Sequence, residues 1–141
     1  MDNNIAFGLK GIEIINSVIK APPESREIST FNFDIQFKSI PNLKDNVVNI
    51  LMDVIVKEKA DQLGQFSAVF HYEVDDLEKL MTGRERNQVE IPQPLLTTLL
   101  GISASTLRGL MFASFKGTFL HNAILPLIDI ATLQPELPVS S

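Results

Sequence analysis

Three stretches of this sequence alternate apolar and polar side chains with a period of two residues. The clearest of them runs from Phe31 to Lys38 and reads FNFDIQFK. Successive side chains of a strand point to opposite faces, so this run places its apolar residues on one face. Those residues are Phe31, Phe33, Ile35 and Phe37. Runs at 47–57 and 66–74 repeat the pattern, and turn-rich segments at 39–46 and 59–64 separate the three. The sequence therefore predicts three consecutive antiparallel strands.

The segment before these strands is also rich in apolar and β-branched residues. It runs from Ile5 to Lys20, and Ala21-Pro22-Pro23 follow it. Gly8, Gly11 and the Ile14-Ile15 pair interrupt its alternation, which is typical of a strand that contains a β-bulge. We therefore predict an opening strand that precedes the other three.

The last third of the chain is predicted to be helical. A short helix is expected to start at Pro94 and to stop at Gly101, and a longer one to run from a Ser103 cap to a stop at Gly117. A helical turn is predicted at 76–81 within a charged connector at 75–90, and a last helix after an Asp129 cap. The tail at 134–141 is expected to fray. The prediction is one α+β domain over 1–141.

Composition excludes several classes of protein. The chain has 141 residues, a net charge of −5 and no cysteine, which argues against thiolate metal sites and against binding of nucleic acid through a basic face. The start, MDNNIAFGLK, lacks the basic and apolar regions of a secretory signal, so a cytoplasmic location is expected. Prolines and Gly101 break the longest uncharged run, so no membrane span is predicted.

Charge is nearly missing from residues 95–128, where Arg108 and Lys116 are the charged side chains. A surplus of apolar surface in so small a domain points to oligomerisation or to binding of another polypeptide. A row of small residues at four-residue spacing strengthens the first option, because it lets another backbone approach a helix closely. The row is Ser105, Gly109, Ala113 and Gly117.

Residues that could perform catalysis are few. His71 and His121 are the histidines, and no catalytic or phosphate-binding motif accompanies them. An acid–base pair of His71 with Glu73 is conceivable, but a solvated strand residue is the simpler interpretation, and Asp75-Asp76 lacks the spacing of a cation loop. No metal, cofactor or enzymatic activity is expected.

The order of elements and several motifs resemble the SecB family, tetrameric cytosolic chaperones that keep bacterial proteins unfolded for export. The most specific piece is Lys116-Gly117-Thr118-Phe119 with Pro126 seven residues later, which is similar to the family's Arg-Gly-Thr-Phe and proline-containing loop. The strand at 31–36 matches in phase, including its Asp, and 45–47 matches the acidic start of the next strand. The likeness extends from Phe7 to about Leu133.

The resemblance implies a four-stranded sheet with two C-terminal helices on one face and assembly into a homotetramer, a dimer of dimers. It implies client-binding grooves and a helix interface between subunits. The implied client residues are Phe31, Phe33, Ile35, Phe37, Leu127, Ile130 and Leu133. The implied interface residues are Ser105, Gly109, Phe112 and Ala113.

The chain departs from the family where the export chaperone docks the translocase motor SecA through acidic residues. Asn16 and Lys20 stand where the family has two of these acids, Glu73 keeps its acid, and His71 stands where the family has an apolar residue. Weaker docking would follow from the lost charge complementarity. The sequence therefore favours an ATP-independent chaperone dedicated to one client, such as an antitoxin of a toxin–antitoxin–chaperone system. The alternatives are a general protein-transport chaperone that delivers preproteins to SecA and, more remotely, an enzyme or small-ligand protein on the same sheet.

Overall fold

A computed structural model describes residues 6–20, 30–80, 91–126 and 134–135. The elements follow one another in the order strand, strand, strand, strand, short helix, long helix, short strand. They are β1 (Phe7–Ile19), β2 (Asn32–Asn42), β3 (Val47–Glu58), β4 (Asp61–Val74), α1 (Leu77–Leu80), α2 (Gln93–Phe115) and β5 (Gln134–Pro135). The predicted α+β class and four-stranded antiparallel sheet are confirmed. The expected last helix after Asp129 falls outside the described residues.

The sheet has the strand order β1-β4-β3-β2-β5. The pairs β1–β4, β4–β3 and β3–β2 are antiparallel, as expected for strands joined by short turns. The strand β5 was not predicted, because its residues lie in the segment expected to fray. It pairs in parallel with the middle of β2, at Gln36 and Phe37.

Two predicted turns are shorter in the structure. The strand β2 continues to Asn42, and the turn covers only 43–46, where Asn46 has the positive φ of 56° that asparagine tolerates. The second turn is Lys59-Ala60, so that β4 begins at Asp61. The turn-like composition of 39–42 is overridden by full pairing with β3, and Pro41 is acceptable because β2 lies near the sheet's margin.

The predicted irregularity of β1 is confirmed. Its pairing with β4 shifts register twice, between Leu9 and Gly11 and between Ile14 and Asn16. Each shift inserts one residue, which resets which side chains face each side of the sheet. Ile12 and Ile14 therefore face the same side as their partners on β4, Phe70 and Ala68.

The prediction that Gly101 interrupts the helix is wrong, because α2 runs without a break through this residue. A glycine inside a helix costs only about 1 kcal/mol relative to alanine, which burial of a long helix face readily offsets. Ser103 consequently lies inside the helix, fully buried, and does not cap it. The predicted stop is correct, since α2 ends at Phe115 and Gly117 has a φ of 82°.

The hydrophobic core lies between α2 and one face of the two central strands, β3 and β4. We call this face of the sheet the helix face and the opposite one the open face. The alternation predicted for β3 is confirmed, since its helix-face residues are all fully buried. They are Val48, Ile50, Met52, Val54 and Val56. The facing residues of β4 include Phe66, Ala68, Phe70 and Tyr72.

By length and composition alone, α2 is apolar enough to cross a membrane, with a mean hydropathy of 1.4 over an 18-residue window. The sequence pattern predicted no membrane span, because prolines and Gly101 break the longest uncharged run. In the fold 39% of that window is buried. Core helices satisfy the same criterion, and the sheet-facing Leu99, Leu107 and Met111 are fully buried in this way.

Candidate functional site

Among the described elements, α2 covers the central strands but leaves the outer strands partly open on the helix face. On the β1 side, Ile12 is 39% exposed and Ile14 is 51% exposed, although their partners Phe70 and Ala68 are completely buried. The two ends of the same side chain row show the same exposure, with Phe7 at 37% and Ile19 at 39%. The β1 margin is therefore an apolar strip that no described element of the chain covers.

The β2 margin carries the predicted client residues. Phe33 and Ile35 pair in register with Val56 and Val54, so they share the helix face with the core. Both are half-buried, as is Phe31, and all three pack against the core cluster while keeping part of each side chain in solvent. This partial exposure makes the three residues available to another chain.

Phe37 differs from its neighbours on β2. It is only 7% exposed and belongs to the core, where it pairs with the fully buried Met52. Alternation predicted its face correctly but could not predict how far along the strand the cover by α2 extends. A direct client contact by Phe37 is therefore disfavoured. The remaining predicted client residues, Leu127, Ile130 and Leu133, lie outside the described residues.

The predicted interface residues come together on the side of α2 that faces away from the sheet. Ser105, Gly109, Phe112 and Ala113 are all exposed, and Phe112 keeps 44% of its surface in solvent. Within the described fold, nothing lies within 4 Å of a Cβ atom placed on Gly109. The small residue at this position is therefore not required by any contact inside the described part of the subunit.

A buried pair of hydroxyl groups fixes α2 on the sheet, and no pattern in the sequence predicted it. Tyr72 Oη lies 2.7 Å from Ser103 Oγ and donates to the carbonyl oxygen of Leu99 at 3.3 Å. Burial raises the pKa of the Tyr72 phenol above its ordinary value, and the hydrogen bond with Ser103 opposes this shift. Both side chains are fully buried, so the Ser103 hydroxyl depends on Tyr72, while the Tyr72 hydroxyl also bonds to the Leu99 carbonyl.

The open face carries polar clusters that link neighbouring strands. His71 Nδ1 donates to Asn49 Oδ1 at 2.5 Å, while Nε2 makes no hydrogen bond within the described residues, although Glu13 Oε1 lies 3.4 Å away. A second cluster is centred on Asp53, whose Oδ1 accepts from Gln65 Nε2 at 2.9 Å and from the Ser67 hydroxyl. These bonds join β3 to β4 on the face that no described helix covers.

The predicted docking residues occupy this open face or its margin. Asn16 pairs with Ser67, and His71 and Glu73 follow at alternate positions along β4, so the three share a face. Lys20 comes just after β1, with its backbone N–H bonded to Leu63 O at 2.8 Å. Asn16, Lys20 and Glu73 are exposed, and His71 is half-buried by its two partners.

The structure does not bring together the acid–base pair of His71 and Glu73 that the sequence suggested. His71 contacts Asn49 and Glu13 and not Glu73, and the ring of His121 stacks obliquely near Phe112, with centroids 5.9 Å apart. Among the described residues, no group of three or more potential metal ligands is close enough to hold an ion. An open cleft of about 300 Å³ beside β2 is lined mainly by 33–36 and Asp53.

No family model matches this chain, and no curated protein matches it.

Proposed function

We propose that this chain is a chaperone that binds unfolded or disordered segments of other polypeptides and prevents their aggregation, without nucleotide, cofactor or chemical step. The observation that carries the proposal is the apolar surface on both margins of the helix face. Single exposed apolar residues are ordinary on protein surfaces, but rows of them along a strand are typical of interaction sites. The resemblance to the SecB family supports the same function.

The client surface is assigned to the β2 margin. Phe31, Phe33 and Ile35 already contact the core, so they are held in place before a client arrives and little ordering is required of them. An extended client segment that covers them gains roughly 25 cal/mol for each Å² of apolar surface removed from water. Such contacts select for apolar side chains and not for a particular sequence. This is what a protein that holds unfolded chains requires.

We assign the contacts between copies of this chain to the β1 margin and to the outward face of α2. Five aliphatic residues of β1 are between 39% and 52% exposed, and a client bound at the β2 margin would leave them uncovered. They are Ile12, Ile14 and Ile19 on the helix face, Val18 on the open face, and Ile15 at the second register shift. Because β1 is an edge strand, a second copy can extend the sheet there, and α2 can pack two such dimers into a homotetramer.

A client-dedicated role in the cytoplasm, such as protection of an antitoxin, is preferred over general export. The reason is the charge of the docking positions: Asn16 and Lys20 are exposed where acids would attract SecA, and Glu73 is the acid that remains. The alternative, delivery of preproteins to SecA, is favoured by Glu13, which adds a carboxylate to the same open face. Purified SecA distinguishes the two, since binding in the presence of client supports the export role.

Aggregation assays test the chaperone function directly. The chain is expected to suppress light scattering by several unrelated unfolding proteins if it is a general holding chaperone, and by one partner if it is dedicated. The double substitution Phe33→Ser with Ile35→Ser is expected to abolish this protection. If the folded chain protects neither several unrelated proteins nor a single partner from aggregation, the proposal is contradicted.

The matched control lies on the same strand. Ile40 is 46% exposed and pairs with Asn49 on the open face, away from the client margin. Ile40→Ser removes a comparable side chain from β2 and is expected to leave protection unchanged. Equal loss in both variants would indicate damage to β2 itself and would remove the assignment of Phe33 and Ile35.

A further inference from the structure

The margin of β2 is partly occupied by the chain's own C-terminal segment. The inner edge of β2 pairs with β3 along its whole length, from Asn32 to Asn42. On its outer edge, the described partner is β5, whose residues Gln134 and Pro135 pair with Gln36 and Phe37. The contact falls beside Ile35, the third of the client residues assigned above.

This contact has the properties of a weak and replaceable strand. It is two residues long, whereas β2 has 11. Proline has no backbone N–H, so Pro135 can accept a hydrogen bond but cannot donate one to β2. Short strands with proline protect a sheet edge against pairing with other chains, while contributing few hydrogen bonds of their own.

The geometry points to an internal competitor: Gln134–Pro135 holds the outer edge of β2, and a client segment displaces it by adding to β2 as a strand. This inference rests on the proposed function and concerns regulation of the same site. A client with N–H groups at every position can pair with more of β2 than β5 does. Backbone pairing would supply affinity independent of sequence, and the apolar margin would add preference for apolar side chains.

Such a competitor sets a threshold for binding. Because β5 is tethered to the same chain, it returns to β2 whenever the edge becomes free, and its effective concentration does not fall on dilution. A segment that matches only two or three residues of β2 gains little over β5 and is released. A longer extended segment outcompetes it, so the device selects unfolded chains over short exposed loops.

Two truncations test the inference. One deletes residues 134–141 and removes β5, and its matched control deletes 136–141 and retains Gln134–Pro135. The probe is fluorescein-labelled α-lactalbumin, kept unfolded by reduction and carboxymethylation, and its affinity is measured by fluorescence anisotropy. Loss of β5 is expected to tighten binding about threefold to tenfold, the range expected for loss of one or two competing hydrogen bonds, while the control binds as the full chain does.

A reversible cross-link provides the opposite perturbation. The chain has no cysteine, so Gln36→Cys with Gln134→Cys introduces a single possible disulfide between residues paired in register. Oxidation is expected to lock β5 on β2 and to weaken probe binding, and reduction to restore it. Failure of the pair to oxidise would contradict the contact itself.

The outcomes separate this inference from the proposed function. Binding of the probe with equal affinity by the full chain, both truncations and the oxidised variant overturns the competitor role and leaves the chaperone function standing. Absence of probe binding in every form, including the chain without β5, removes both.

Discussion

The two faces of the central strands β3 and β4 are made by the same backbone but are stabilised differently. On the helix face, β3 presents five fully buried apolar side chains to α2. On the open face, the same strand presents Asn49 and Asp53, which bond across to β4, with Leu51 half-buried between them. A sheet with one covered face thus uses burial on that face and cross-strand hydrogen bonds on the other.

The largest expected difference between the faces comes from neighbouring residues of β4. Phe70 is fully buried on the helix face, and Val69 is half-buried on the open face. Phe70→Ala is expected to lower the free energy of unfolding by about 3–5 kcal/mol, because it removes apolar contacts and leaves a cavity. Val69→Ala is expected to cost about 1 kcal/mol or less. Urea titration measures both, and similar losses would mean that the open face is covered too.

The hydroxyl pair under α2 gives the next effect in size. Tyr72→Phe leaves Ser103 without its partner and is expected to cost about 2 kcal/mol in unfolding free energy. Ser103→Ala should cost a similar amount, and the double variant less than the sum, because the two hydroxyls satisfy each other. A strictly additive pair of losses would contradict the bond.

Titration of Tyr72 adds a pH dependence with a defined sign. Since burial raises the pKa of the folded phenol above its ordinary value of 10.0, the resulting stability is complete below pH 10.0 and is lost as pH rises through the folded pKa. The stability difference between the chain and Tyr72→Phe should therefore shrink in alkali. Tyr72 is the chain's one tyrosine, so the ultraviolet absorbance of its phenolate reports this titration alone.

The open-face cluster is expected to contribute less. Asp53→Ala removes the acceptor shared by Gln65 and Ser67 and is expected to cost about 1 kcal/mol, since Ser67 is only 4% exposed. The control is Asp34→Ala, which breaks an exposed ion pair with Lys57 and should cost about 0.5 kcal/mol or less. A larger loss of unfolding free energy in Asp34→Ala than in Asp53→Ala would contradict this ranking of the two carboxylates.

The comparison of faces also explains which features the sequence predicted. Strict alternation at 31–38, and alternation with one half-polar face at 47–57, predicted strands and faces, because successive side chains of a strand point to opposite faces. It did not predict that Phe37 is buried while Phe33 is partly exposed, since this depends on where α2 lies over the sheet. Nor did it predict the continuity of α2 through Gly101, where tertiary packing overrides local propensity.

Long-range polar contacts were missed for a similar reason. The bond between Tyr72 and Ser103 joins residues 31 positions apart, and the strand β5 joins the tail to β2 across a still longer separation. No local pattern specifies such pairings. The small-residue row, by contrast, could be predicted, because helical spacing alone brings Ser105, Gly109 and Ala113 to one side of the helix. In the structure all three are exposed.

The smallest effect on folding, and the largest on assembly, is expected for Gly109 of α2. Gly109 lies on the outward face, and nothing described lies within 4 Å of a Cβ atom placed on it. In a single subunit, leucine at this position should stabilise the helix by up to about 1 kcal/mol. If a second copy packs on the small-residue row, Gly109→Leu breaks the tetramer, because its side chain fills the space of the approaching backbone. Light scattering measures the mass, and an intact assembly in Gly109→Leu would contradict assignment of that row to the interface.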